Sequence, residues 1–170
     1  RGLVGSEMCI RDRPNTTPPS RLTASIHWQE QNQEQNAPKT APTKEPIHFV
    51  ATSGTGHKIF ADPDNQIGAK PTELVLMGLG SCASVDVVGI LKKARQVISD
   101  VKCQVSAKRA DTIPAVFTDI HLHFVVTGRD VKPEQVAKAV QLSADKYCSV
   151  GKMLSAGGVH ITHDFEIIAQ

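Results

Sequence analysis

Lys70-Pro71-Thr72-Glu73-Leu74-Val75-Leu76-Met77-Gly78-Leu79-Gly80-Ser81-Cys82-Ala83-Ser84 is the stretch on which the fold turns. Proline suits the first turn of a helix, where its missing N–H costs nothing, and Glu73 complements the positive end of that helix. From Pro71 the chain stays apolar around most of a helical circumference until Lys92, which predicts a helix over 71–96, about 39 Å long. A helix that is apolar all round must be buried in its own protein or in an assembly. Gly78, Gly80 and Gly89 would each cost about 1 kcal/mol against Ala inside it, so they imply close contact with another element.

Outward from that helix the periodicity changes. Towards the N-terminus, 22–28, 47–51 and 57–61 alternate as short strands, and Ser53-Gly54-Thr55-Gly56 turns the second into the third. Towards the C-terminus, 97–108 and 117–127 alternate through Val101, Cys103 and Val105 and through Ile120, Leu122, Phe124 and Val126, with a turn at Asp111 to Pro114. Pro133-Glu134 opens a second helix over 133–147, a short helical piece reaches Leu154, and Gly157-Gly158 precedes a last strand over 159–168. The order β-β-β-α-β-β-α-β does not alternate strictly, so the class is α+β.

The remaining segments read differently. Residues 1–13 carry no periodicity and resemble translated adapter read-through; they have neither the apolar region nor the cleavage site of a signal peptide. Residues 1–21 are expected to be disordered or artefactual. Residues 22–170 are expected to form a single domain with a flexible Gln- and Pro-rich insertion at about 29–45, which has too little apolar surface to pack. No uninterrupted run reaches the roughly 18 apolar residues that cross a bilayer, so the sequence predicts a soluble, cytoplasmic protein without a membrane partner. The formal net charge is +2, with acids and bases interspersed and only one Trp and one Tyr, which argues against nucleic-acid binding.

The chemistry resides in cysteines. With Cys9 set aside, Cys82, Cys103 and Cys148 remain, an odd set that argues for thiol chemistry or plain burial over a disulfide framework. Small residues around Cys82 leave room for a substrate or a second backbone, and Cys148 lies at the end of the second helix, where it could meet Cys82. Packing alone is the competing reading for both, since free Cys is among the most buried residue types. Cys103 shares a strand face with Val101 and Val105 and reads as core. Glu73 reads equally as a solvated first-turn carboxylate. Asp86, one turn beyond Cys82, would raise a neighbouring thiol pKa unless paired. His163 falls on the apolar face of the last strand, as a hydrogen-bonded core histidine. His121 and His123 share a strand face, but with no Cys or carboxylate at a fixed offset they are weak as ligands, and neither a metal nor a cofactor is expected.

On Lys70-Pro71-Thr72-Glu73-Leu74, on Gly80-Ser81-Cys82 and on Cys148 after the second helix, together with the element order, residues 22–170 resemble the OsmC/Ohr family of osmotically inducible and organic hydroperoxide resistance proteins. The resemblance implies an intertwined homodimer with antiparallel sheets and a long central buried helix. It implies a peroxidatic Cys82, a resolving Cys148 and a catalytic glutamate, here Glu73, acting on organic hydroperoxides at the expense of a thiol or a lipoyl-type dithiol. The chain departs from the pattern at two places. Thr72 stands where the family glutamate directly follows the proline, and the loop Ser53-Gly54-Thr55-Gly56-His57 has no Arg. A thiolate at Cys82 then needs a cation from elsewhere, with Arg109, Arg95 and His57 as candidates. The expected function is a thiol-dependent peroxidase. The alternative is a non-enzymatic binding or redox-sensing module that holds a small apolar or electrophilic ligand at the dimer interface.

Overall fold

The computed structural model describes residues 24–28 and 47–170. The expectations for 1–21 and for the 29–45 insertion lie outside the described residues. Those that are described group into two compact units, one ending at Val75 and one spanning Leu76–Gln170.

The first unit is a three-stranded antiparallel sheet in the order β1-β2-β3, with β1 at Ala24–Trp28, β2 at Phe49–Ser53 and β3 at Lys58–Ala61. Its hairpin turn is stitched by side chains. The Ser53 and Thr55 hydroxyls lie 2.9 Å apart, Thr55 Oγ1 lies 2.9 Å from His57 Nδ1, and the His57 N–H donates to Ser53 Oγ. Gly56 closes the turn at a φ of +88°, a conformation open to glycine at no steric cost. After β3, Asp62 is fully buried, and its carboxylate accepts the backbone N–H groups of Asp64, Gln66 and Ile67 at 2.6–2.9 Å. Burial pushes this carboxyl up, but the donors from Ile67, Gln66 and Asp64 and the nearby His48 outweigh it and hold the pKa below the ordinary aspartate value. The loop that leads into the long helix is thus wound around one anion.

That helix, α1, is Pro71–Lys93. Its 18-residue core has a mean hydropathy of 2.0, so by length and composition it is apolar enough to cross a membrane. This corrects the expectation that no segment reaches that threshold. Counting uninterrupted apolar residues undervalues a run whose Gly, Ala and Ser are near neutral. Among the described residues of α1, one stripe is buried, at Leu79, Gly80, Ala83, Val87 and Leu91. Met77 and Val85, on the opposite side, remain 55% and 68% exposed.

The second unit carries the other sheet, in the order β4-β5-β6, with β4 at Val97–Arg109, β5 at Phe117–Arg129 and β6 at His160–Ala169. The antiparallel expectation holds for β1–β2, β2–β3 and β4–β5, but β6 runs parallel to β5. A parallel pair needs a crossover rather than a hairpin. Here it consists of α2 (Pro133–Leu142), one π-helical turn (Ser143–Tyr147) and α3 (Ser149–Ala156). The expected helix over 133–147 therefore changes type in its last turn.

Even-numbered positions of β5 face the core. Ile120, Leu122, Phe124 and Val126 are buried with the α1 stripe and with Val136, Ala139 and Val140 of α2. Pairing sets cross-sheet rows on this inner face: Cys103, Phe124 and Phe165 in one, and Val105, Leu122 and His163 in the next. Gly80 is where the helix and sheet press together. A Cβ there would lie 2.9 Å from Val105 Cγ2 and 3.9 Å from Cys103 Sγ. Among the described residues, Gly78 and Gly89 have nothing within 4 Å of the same position, and of the three only Gly80 is in close contact.

Candidate functional site

Cys82 projects from α1 beside the buried stripe and is partly exposed. The segment that faces it starts where the π-helical turn ends. A π turn admits one extra residue into a helix, and here the Cys148 N–H reaches back to the Ser143 carbonyl at 2.9 Å. Cys148 then turns extended and becomes the N-cap of α3. Its sulfur accepts the Gly151 N–H at 3.3 Å, in the place a Ser or Asp oxygen would normally take. Ser149, the first residue of α3, brings its hydroxyl to 3.9 Å from Cys82 Sγ. Cys82 is thus the neighbour of the turn that starts α3, and it lies close enough to Cys148 to act on the titration of its thiol.

Cys148 is almost fully buried, and burial drives its thiol up to about 12. The Gly151 N–H opposes that rise, while Cys82 and the charge of Asp86 add to it. Cys148 is therefore a neutral thiol at physiological pH. The turn that carries it is fastened to α1 by Ser143, whose buried hydroxyl donates to the Ala83 carbonyl at 3.2 Å and to Asp86 Oδ2 at 3.4 Å. Asp86 thus acts on Cys148 and is engaged by Ser143. A cavity of about 150 Å³ borders Cys148, walled by Leu79, Leu122, Gly151, Lys152 and His163 among others. It is smaller than the roughly 300–1,000 Å³ of sites for drug-sized ligands. His163 is a wall of this cavity, a role its place on the apolar strand face did not announce.

The structure thus brings Cys82 and Cys148 together. Cys103 stays in the core, as read from its strand face, and burial raises its thiol pKa against a hydrogen bond from Ser84. Glu73 belongs to the first unit, where its carboxylate accepts the Lys70 N–H at 2.8 Å, the backward reach of a capping box. Arg109 is held in the β4–β5 hairpin by the Ala115 carbonyl at 2.7 Å and lies over the Phe117 ring. Arg95 sits past the end of α1 in a left-handed conformation, thirteen residues from Cys82 and about 20 Å along the axis. His57 is engaged by the first unit's hairpin. Sequence reasoning missed Ser149 and Ser143 as partners of the site. The adjacency Cys148-Ser149 at a helix start was the available signal, because an N-terminal Ser commonly faces the cap.

An α+β chain with a half-exposed cysteine on a long apolar helix, met by a buried cysteine at the start of a short one, defines a thiol-bearing α+β protein. Residues 63–164 match the family model described as OsmC-like protein. The chain is 46% identical over 126 residues to protein YhfA of Escherichia coli strain K12, covering 74% of this chain and 93% of that one. Its fold is also that of an OsmC-like protein from Mycoplasma pneumoniae, at a TM-score of 0.67 and 12% identity over 88% of this chain and 99% of the other. The organic hydroperoxide resistance protein OhrB of Bacillus subtilis shares the fold at a TM-score of 0.51 and 18% identity, with 85% and 98% covered. The chain belongs to the OsmC-like family.

Proposed function

We propose that this protein is a thiol-dependent peroxidase that reduces small organic hydroperoxides, with Cys82 as the attacking sulfur and Cys148 as the resolving one. The observation that supports the reading is the approach of the Cys148-Ser149 helix start to Cys82, with the Ser149 hydroxyl 3.9 Å from Cys82 Sγ, Cys82 partly exposed and Cys148 buried and held neutral. Cys82, as a thiolate, attacks one oxygen of the hydroperoxide. An S–O bond forms, the O–O bond breaks, and the alkoxide takes a proton and leaves as the alcohol. Cys82 is then a sulfenic acid. The Cys148 sulfur attacks the Cys82 sulfur, an S–S bond forms, and the hydroxyl leaves with the Cys148 proton as water. A dithiol reductant returns both thiols and is itself oxidised to a disulfide. Glu73 enters this reading as the carboxylate that fixes the start of α1. Such thiols persist in a reducing compartment, the cytoplasm.

Hydroperoxide consumption with a dithiol reductant tests it. The native protein is expected to turn over, Cys82→Ser to lose at least about 100-fold, and peptide mapping after oxidation to recover a Cys82–Cys148 cross-link with Cys103 free. A native protein whose thiols stay reduced under excess hydroperoxide would sink the peroxidase. The second reading, a binding or redox-sensing module, would then stand. It is favoured by the engagement of the Glu73 carboxylate at its own helix terminus and by a β2–β3 hairpin without Arg.

The open side of α1 supports a homodimer in which a second copy covers Met77, Gly78 and Val85. Apolar surface on a helix of this length is costly to leave in water. Light scattering is expected to give a dimer for the native protein and a monomer for Val85→Glu. A folded native monomer at micromolar concentration would refute the pairing.

A further inference from the structure

The outer face of the β4–β6 sheet carries chemistry that the thiol site does not use. Pairing sets Ser106, His121 and Thr162 in one row across the three strands and Gln104, His123 and Asp164 in the next. His121, His123 and Asp164 each offer one ligand atom, and these atoms all lie within 4.8 Å of one another. Asp164 Oδ1 is 3.2 Å from His121 Nε2 and 2.5 Å from His123 Nδ1. The remaining ring nitrogens have partners of their own. His121 Nδ1 lies 2.8 Å from Thr162 Oγ1, and His123 Nε2 lies 3.8 Å from Glu166 Oε1.

We infer that His121, His123 and Asp164 form a binding site for a divalent transition-metal ion such as Zn²⁺, on the sheet face opposite the core. Two imidazoles and one carboxylate are a ligand set such ions accept, with an open position left for water. Ligand atoms about 2.0–2.2 Å from a tetrahedral metal stand about 3.4 Å apart. His121 Nε2 and Asp164 Oδ1 already do so. His123 and Asp164 must part by about 1 Å, which these side chains, 30% and 59% exposed, are free to do. The second partner of each histidine is what a ligating imidazole requires. A hydroxyl or carboxylate on the far nitrogen fixes the ring and leaves the near nitrogen to the metal. All three ligands stand on paired strands, which place a site more accurately than loops do. A ligating imidazole must offer a free nitrogen lone pair, so protons compete with the metal and affinity should fall as pH falls.

Calorimetric titration of the full-length reduced protein with Zn²⁺ tests the site, with Co²⁺ as the spectroscopic probe. One ion per chain is expected. Affinity should fall at least about 100-fold in His121→Ala and in Asp164→Asn, fall about 10-fold in Thr162→Val, and change less than about 2-fold in Cys82→Ser. Circular dichroism of the His121, Thr162 and Asp164 variants should match the native spectrum, because these side chains lie on the sheet face opposite the core. Bound Co²⁺ should show visible bands without thiolate-to-metal charge transfer, a readout on the native protein alone. Absence of binding by the native protein, binding undiminished in His121→Ala, or loss of binding in Cys82→Ser with a thiolate signature in the Co²⁺ spectrum would each overturn the inference.

Discussion

The two faces of the β4–β6 sheet are built from the same three strands, one residue out of phase, and share almost no chemistry. The inner face of β5 presents Ile120, Leu122, Phe124 and Val126 to α1 and the crossover helices, and all four are essentially fully buried. The outer face presents Asp119, His121 and His123, with Thr162, Asp164 and Glu166 beside them on β6. Ionic and hydrogen-bonding contacts crowd the outer rows, whereas the inner rows hold a cysteine and a histidine among hydrocarbon. The difference teaches which face sustains the fold and which is free to be specialised. Contacts between exposed ions contribute about 0–1 kcal/mol each, while a buried aromatic contributes several times that.

The largest effect should come from Phe124, in the row with Cys103 and Phe165. Phe124→Ala is expected to cost about 3–5 kcal/mol in urea unfolding, because the strand and helix around it cannot fully close the cavity. A loss below about 1 kcal/mol would erase the contrast between the faces.

A second effect sharpens the contrast through pH. The folded protein holds the Cys148 thiol up to about 12, against an ordinary value of 9.0. A group whose pKa is raised by folding contributes stability that is complete below the unfolded value and is lost as pH rises through the folded one. The native protein should therefore lose stability between pH 9 and about 12 by more than Cys148→Ser does, with the two converging in their pH dependence below pH 8. Equal slopes for the two proteins across that window would show that the thiol is not held in this way.

The smallest effect belongs to the outer face. Gln104→Ala, in the row of His123 and Asp164, should change stability by no more than about 0.5 kcal/mol in the same unfolding experiment. A cost near that of Phe124→Ala would mean that the outer rows bear as much of the fold as the inner ones.

Much of this architecture was legible in the chain. Pro71 and Glu73 marked the start of α1, period-2 runs located β4, β5 and β6, and the two cysteines stood out, Cys82 by its small neighbours and Cys148 by its place at the end of the second helix. What stayed hidden depended on pairing. No local pattern tells that β6 lies parallel to β5, and without that register Asp164 cannot be seen to stand beside His123 or His163 beside Leu122. The role of Glu73 was ambiguous for a related reason, since a first-turn carboxylate looks alike whether it serves chemistry or its own helix. The capping hydrogen bond to Lys70 only appears once the loop before α1 has a shape. Hydropathy misled at one point, where interspersed glycines and serines concealed how apolar α1 is on average.

The π turn at Ser143–Tyr147 carries a constraint on sequence length. Each residue added to or removed from a helix turns everything after it by about 100° and shifts it by about 1.5 Å. The bond from the Cys148 N–H to the Ser143 carbonyl absorbs one such step immediately before the sulfur that meets α1. Deleting a single residue between 143 and 147, whatever its identity, would rotate Cys148 away from Cys82 and bring a neighbour into its place. The crossover between β5 and β6 can therefore vary its side chains far more freely than its residue count: its length is the coordinate along which the two thiols stay in phase.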